Sequence, residues 1–202
     1  MSLASRYMKY LFTLSIIYVA IYFFILGTLL FIVYVAYLIN VWQWKKNCQP
    51  FYSNESTLMM GHRGSPTLIT ENTLPSFQKA IDQGVDGIEL DIRLSKDGQL
   101  VVFHDANLKR LSNRSDKINQ LSLAELQNVQ LNATGRPQDE IYIPSLNDIV
   151  QLLDYVKVIN IEVKSDSIFD GQGILTPLIE FLNEHKIDDK CIISSFNPLF
   201  LM

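Results

Sequence analysis

Hydrophobic positions along this chain fall into two regimes. From position 10 to position 44 apolar residues run on without a single charge, and no amphipathic stripe divides the run into faces. From Leu58 onward, short apolar stretches alternate with polar ones, some with a period of 2 and some with a period of 3.6. Between the two regimes, 49–57 is polar and carries Pro50, which reads as a linker. The pattern therefore predicts three parts: an N-terminal segment 1–48, a linker 49–57 and a folded domain 58–202.

The first regime holds roughly 30 apolar residues, more than the about 20 a helix needs to cross a bilayer. It is too long for the core of a signal peptide, and no small-residue cleavage site follows it. It is too short for two spans with a turn. One long, tilted transmembrane helix is predicted, with Tyr7, Tyr10, Trp42 and Trp44 as interfacial anchors, and hence a single-pass membrane location. Arg6 and Lys9 flank one side and Lys45 and Lys46 the other, so charge gives no orientation.

The second regime predicts a strand over 58–61, then a helix capped by Thr73. Leu74, Phe77, Ala80 and Ile81 share a face of that helix, and Gly84 ends it. Strands follow over 87–94 and 100–104. A longer polar section, 106–143, contains a capping box at Ser122 and Glu125 and a loop at Gly135-Arg136-Pro137. A helix opens at Pro144 and Ser145 with Leu146, Ile149, Val150 and Leu153 on one side. A strand over 158–164, a helix over 174–184 and a strand over 191–195 complete the domain. Strands alternating with helices predict an α/β domain of βα units around a parallel sheet.

Charge and cysteine usage narrow the function. The net charge is −4 and no basic stripe is present, which argues against a nucleic-acid partner. Two cysteines give no disulfide framework. Cys48 reads as a free thiol beside the membrane, with acylation the lesser alternative, and Cys191 as a core residue.

The candidate chemistry sits where the period is 2. In 88–94, Ile88, Leu90, Ile92 and Leu94 alternate with Glu89, Asp91 and Arg93. Two carboxylates two apart on a strand point the same way, so a cation must lie between them or one must hold a proton. Val102 and His104 repeat the scheme on the next strand, and Glu162 and Lys164 on the one after. Glu89, Asp91 and Glu162 offer hard oxygen ligands suited to one divalent ion, Mg²⁺ or Ca²⁺.

The order His62-Arg63-Gly64, Glu71-Asn72-Thr73, Glu89 and Asp91, Lys96-Asp97-Gly98, His104-Asp105, then Glu162 and Lys164 resembles the glycerophosphodiester phosphodiesterase family. The resemblance runs from Leu58 to the C-terminus. It departs at Thr70, where the family has proline. It implies a TIM-type (β/α)₈ barrel, of which this chain supplies about five βα units; a later family block around Trp-Thr is absent. It implies hydrolysis of glycerophosphodiesters, or of lysophospholipids in a lysophospholipase D-like variant, to a glycerol phosphate and an alcohol. His62 and His104 would be general acid and base, and Arg63 and Lys164 would bind the phosphate. Glu89, Asp91 and Glu162 would hold the metal, and Asn72 would orient substrate or tie down its loop. Arg93 and Asp105 read as structural, and His185 as a cation at a helix end. An aldolase-like Schiff base on Lys164 leaves the histidines and carboxylates unexplained. The alternative function is a catalytically incompetent, membrane-bound form that pairs with a full-length chain through open barrel edges.

Overall fold

The computed structural model describes residues 3–41, 57–132, 141–167, 172–198 and 200–201. Trp42, Trp44, Lys45, Lys46, Cys48, nearly all of the linker and the Gly135-Arg136-Pro137 loop lie outside the described residues. The chain divides into two compact units, Met1–Cys48 and Gln49–Leu201.

The first unit is a helix, α1 (Leu3–Val41), 39 residues long. Its stretch Tyr7–Ile39 is long and apolar enough to cross a membrane. Phe, Ile, Leu and Tyr side chains stand exposed all around it. Three of its short hydroxyl side chains bond within the helix: Thr13 donates to the Lys9 carbonyl, Ser15 to Phe12 and Thr28 to Phe24. A helix in hydrocarbon must close its polar groups internally in this way.

The second unit is built from β1 (Met60–His62), α2 (Leu74–Asp82), β2 (Gly87–Leu94), β3 (Leu100–Val102), α3 (Leu123–Gln127), α4 (Val150–Leu153), β4 (Val158–Val163), α5 (Gln172–His185) and β5 (Cys191–Ser194). The predicted start signals act as expected. Thr73 Oγ1 accepts from the Ser76 amide at the start of α2, and Gly84, at φ +80°, follows its end. Ser122 and Glu125 form the capping box of α3, and Ser145 with Asp148 builds the same reciprocal pair ahead of α4.

Strand order is β1-β2-β4-β5, all parallel, with β3 lying antiparallel on β2. This corrects the expectation of five parallel βα units: among the described residues four strands are parallel, and β3 is the return of a hairpin. The reason is chain length. Only residues 95–99 separate β2 from β3, whereas a parallel crossover takes about a dozen residues or more. The turn is closed by Ser95, which exchanges backbone bonds with Gln99 and Gly98, and Gly98 adopts φ +77°. β3 also ends at Val102, so His104 stands on the loop beyond it.

Period 2 separates a dry face from a polar one. Ile88, Leu90 and Ile92 of β2 and Ile159, Ile161 and Val163 of β4 pack against Phe77, Leu153, Leu178 and Phe181 from the helices. A second cluster was not legible as such in the polar section 106–143. Leu108, Leu111, Ile118, Leu126 and Ile143 close around Val101 and Phe103, on the other side of β3. Phe77 joins α2 to the sheet and is fully buried. Phe77→Ala is expected to destabilise this unit by about 3–5 kcal/mol, read as a lowered midpoint in urea unfolding with an unchanged slope.

Candidate active site

Parallel register assembles the polar face. Across β1 and β2, His62 is paired with Glu89; across β2 and β4, Asp91 is paired with Glu162. One oxygen from each of Glu89, Asp91 and Glu162 therefore falls within 4.8 Å of the others. Glu89 and Asp91 are buried, at 7% and 0% exposure.

Such like charge needs partners, and the neighbouring loops bring them. Lys164 Nζ lies 3.0 Å from Asp91 Oδ1 and 2.5 Å from Glu162 Oε1. Arg63 Nε lies 3.2 Å from Asp91 Oδ2, and its Nη1 donates to Glu71 at 2.9 Å. Asn72 is buried and gives its whole amide to Asp91: Nδ2 donates to Oδ2 at 2.7 Å, and Oδ1 accepts from the Asp91 N–H at 3.2 Å. Arg63 and Asn72 both take left-handed backbone, φ 57° and 56°, and the Asn72 N–H closes on the Arg63 carbonyl. Between them Gly64, at φ +87°, passes so near Ser76 that a Cβ would come within 2.5 Å of its Oγ. The Arg63 and Glu71 loops are thus stitched into one support.

Glu89 is the exception. Its Oε2 accepts the Arg63 N–H at 3.0 Å, and His62 Nε2 stands 3.8 Å from the same oxygen. Its Oε1 is buried without a partner among the described residues. Burial first, then the Asp91 charge, pushes the Glu89 carboxyl up to about 7, and Glu162 adds to the effect. Counting the connected network, five carboxylates (Glu71, Glu89, Asp91, Asp105, Glu162) meet three fixed cations (Arg63, Arg110, Lys164). With every carboxylate ionised the deficit is two positive charges, and while Glu89 holds its proton it is one; an unpartnered hard oxygen faces it. The residues present fit a divalent ion on both charge and donor type.

His104 reaches this network from the loop after β3. Phe103 N–H donates to the Asp91 carbonyl at 2.9 Å, continuing the pairing past the strand end. Arg93 Nε donates to the His104 carbonyl at 2.9 Å, and its Nη1 pairs with Asp166. The His104 ring has Nδ1 2.7 Å from Asp105 Oδ1. Burial alone would raise the Asp105 carboxyl, but hydrogen bonds from Arg110 and His104 outweigh it and hold it below its ordinary value.

Seven of the eight predicted site residues, His62, Arg63, Asn72, Glu89, Asp91, Glu162 and Lys164, therefore share direct contacts, and His104 joins them through Asp105, Arg110, Glu71 and Arg63. Arg110 and a role for Glu71 escaped the sequence reading, because their pairing spans 39 positions. Thr70, in place of the expected proline, is buried and donates to the Asn132 carbonyl. His185 packs its ring on Phe181 at the end of α5. Cys191 is buried and its thiol is pushed up to about 12 by burial, so it is an inert core residue.

A raised Glu89 gives a signed pH dependence. Its folded carboxyl holds a proton up to about 7 against an ordinary value of 4.5. Its contribution to stability is therefore fully present below 4.5 and is lost as pH rises through 7. In chelator, the parent is expected to lose thermal stability relative to Glu89→Gln across this window. A saturating divalent ion is expected to abolish the loss, measured as the difference in Tm at each pH.

Comparison with known proteins bears on the whole of this unit. The sequence pattern of the Glycerophosphoryl diester phosphodiesterase family matches residues 62–202, more than two thirds of the chain. A glycerophosphodiester phosphodiesterase of Caldanaerobacter subterraneus is 36% identical over 143 residues, covering 70% of this chain and 58% of that protein. Among solved structures, an Oleispira antarctica phosphodiesterase in complex with the product sn-glycerol-3-phosphate is 31% identical with TM-score 0.66, over 72% of this chain and 60% of that one. A Thermotoga maritima glycerophosphodiester phosphodiesterase is 34% identical with TM-score 0.56, over 73% and 58%. The chain spans about three fifths of the length of these relatives, and its sheet and helices have their TIM-barrel-like α/β fold. Sequence and fold together place the chain in the glycerophosphoryl diester phosphodiesterase family.

Proposed function

We propose that this chain hydrolyses glycerophosphodiesters to a glycerol phosphate and an alcohol, in a divalent-metal-dependent reaction. The observation that carries the reading is the buried, unpartnered Glu89 Oε1, in a cluster of Glu89, Asp91 and Glu162 oxygens within 4.8 Å of one another and in a network short of positive charge. Glu89, Asp91 and Glu162 would hold the ion, Mg²⁺ or Ca²⁺, which supplies charge neutralisation at the phosphate oxygens.

The remaining roles belong to the surrounding side chains. Arg63 and Lys164 already face the carboxylates and would bind the phosphate oxygens beside them. His62, at the end of β1 with its side chain 67% exposed, is free to approach substrate. His104, with Nδ1 engaged by Asp105, leaves Nε2 to exchange a proton. One histidine would take the proton of the attacking hydroxyl and the other would give one to the leaving alcohol. Asn72 acts on this reading by orienting Asp91. Segment 1–48 would be a single-pass anchor, 49–57 a linker and 58–202 the catalytic domain. The apolar girth of α1 supports the anchor, and a membrane location makes lysophospholipids a second substrate class.

A second reading is supported by the sheet. Its path ends at β1 and β5, each paired on one side only among the described residues, and such edges accept further strands. A non-catalytic form that pairs with another chain would use them.

Turnover separates the two. Detergent-purified chain and its His62→Ala variant are given glycerophosphocholine or lysophosphatidylcholine, with Mg²⁺, Ca²⁺ or chelator. Metal-dependent choline release is expected, reduced about 100-fold or more in the variant. No release from folded, metal-supplied protein, with a second chain co-purifying, would favour the pairing form.

A further inference from the structure

One charge network extends beyond the carboxylate cluster, and Arg110 is at its centre. Arg110 Nε donates to Asp105 Oδ2 at 2.6 Å. Its Nη2 and Nη1 grip both oxygens of Glu71, at 2.6 and 3.0 Å. Asp105 passes the contact on to His104 Nδ1, and Glu71 passes it on to Arg63. The backbone of Arg110 is itself fixed. Leu108 and Leu111 on either side are buried in the second apolar cluster, Leu108 N–H bonds the Asp116 carbonyl, and the Leu111 carbonyl accepts from Asn132.

We propose that Arg110 is a positioning residue for His104. By holding Asp105 and Glu71 at once, it fixes the imidazole's tautomer and ring orientation and ties the His104 loop to the Arg63 loop. The proposal rests on the phosphodiesterase reading for its kinetic consequence only.

The competing reading is an ordinary surface ion pair, since the Arg110 side chain is 45% exposed and exposed pairs contribute little. Geometry decides against it. The two carboxylates are only 13% and 22% exposed, and they come from two different loops, one before α2 and one after β3. A carboxylate at Nδ1 selects the tautomer with its hydrogen there and leaves Nε2 for proton exchange. Asp105 can serve this role steadily only if its second oxygen is also held, and Arg110 Nε holds it. Three donors on two carboxylates need a planar fork, which lysine lacks.

The test uses Arg110→Met and Arg110→Lys in the full chain. Arg114→Met, which removes an exposed pair with Asp116 on the same loop, serves as control. Nitrogen–proton correlation NMR of the imidazoles reads the tautomer directly, and three histidines are few enough to assign one by one. The parent and control are expected to show His104 protonated at Nδ1, and both Arg110 variants a mixture of ring forms. With glycerophosphocholine, kcat is expected to fall about 10–100-fold in both variants, in the range of outer contacts to catalytic groups, with KM nearly unchanged. A parent-like His104 signal in either folded variant overturns the proposal, as does an unchanged kcat. Should Arg110→Met fail to fold, Arg110→Lys decides by the same signal. Should the parent not turn over, the phosphodiesterase reading of this chain fails, while the His104 signal still decides the role of Arg110.

Discussion

Everything in the folded unit answers to one electrostatic problem: three carboxylates converging at the ends of neighbouring parallel strands. At 4.8 Å, two unit charges repel by about 3–4 kcal/mol even at an effective dielectric of 20. In a sheet that aligns Asp91 with Glu162 and places Glu89 two residues away, register and pleat send all three side chains out on the same face. Relief comes from outside the sheet. Lys164, Arg63 and Asn72 all face Asp91 and Lys164 also pairs with Glu162, while Glu89 is left with one backbone donor and a distant imidazole. The imbalance falls most heavily on Glu89 Oε1, which has neither a hydrogen bond nor a cation beside it among the described residues, and that localises where a cation is wanted.

The supports explain features that look unrelated along the chain. Left-handed backbone at Arg63 and Asn72 turns two loops toward each other, and Asn tolerates that conformation better than most residues. Gly64 lets the first loop pass close over Ser76. The second apolar cluster carries no site residue, yet it seats the turn bearing Arg110 and receives the Thr70 hydrogen bond through Asn132. The strand-borne carboxylates therefore depend on the core between sheet and helices, whereas the loop-borne His104 depends on the cluster across β3. The two packings share β3, and the Phe103 N–H bond to the Asp91 carbonyl, the Arg93 bond to the His104 carbonyl and the salt bridges of Arg110 join them further.

Legibility followed locality. Glu89 and Asp91 on one face, the Thr73 and Ser122 caps and the two-residue step from Glu162 to Lys164 are all statements about neighbours, and period alone carries them. β3 was misassigned as a parallel unit because 100–104 has the same alternation as a barrel strand; only the five-residue connection distinguishes a hairpin. The cluster within 106–143 was hidden because its apolar residues are spaced irregularly among polar ones, with no helix or strand period to expose them. Glu71 and Arg110 were invisible as a pair for the same physical reason: their meeting is a property of that cluster's packing, which no short window contains.

The two histidines, alike in the motif, are held in opposite ways. His104 is fixed at both ends, its carbonyl by Arg93 and its ring by Asp105. Its imidazole therefore loses little freedom when a substrate arrives. Among the described residues the His62 ring has only the 3.8 Å approach to Glu89, and two thirds of its side chain faces solvent. Glu89 is the carboxylate whose charge is least secured, so the hold on His62 weakens whenever Glu89 takes a proton. On the phosphodiesterase reading, ionising Glu89 thus does two things together: it completes the oxygen cluster and draws His62 toward it. On that reading, a ring held by a carboxylate that Arg110 secures and a ring beside a titrating carboxylate would divide the acid and base work unequally. The unequal holding follows from register, which puts His62 beside the one carboxylate that Lys164 does not reach.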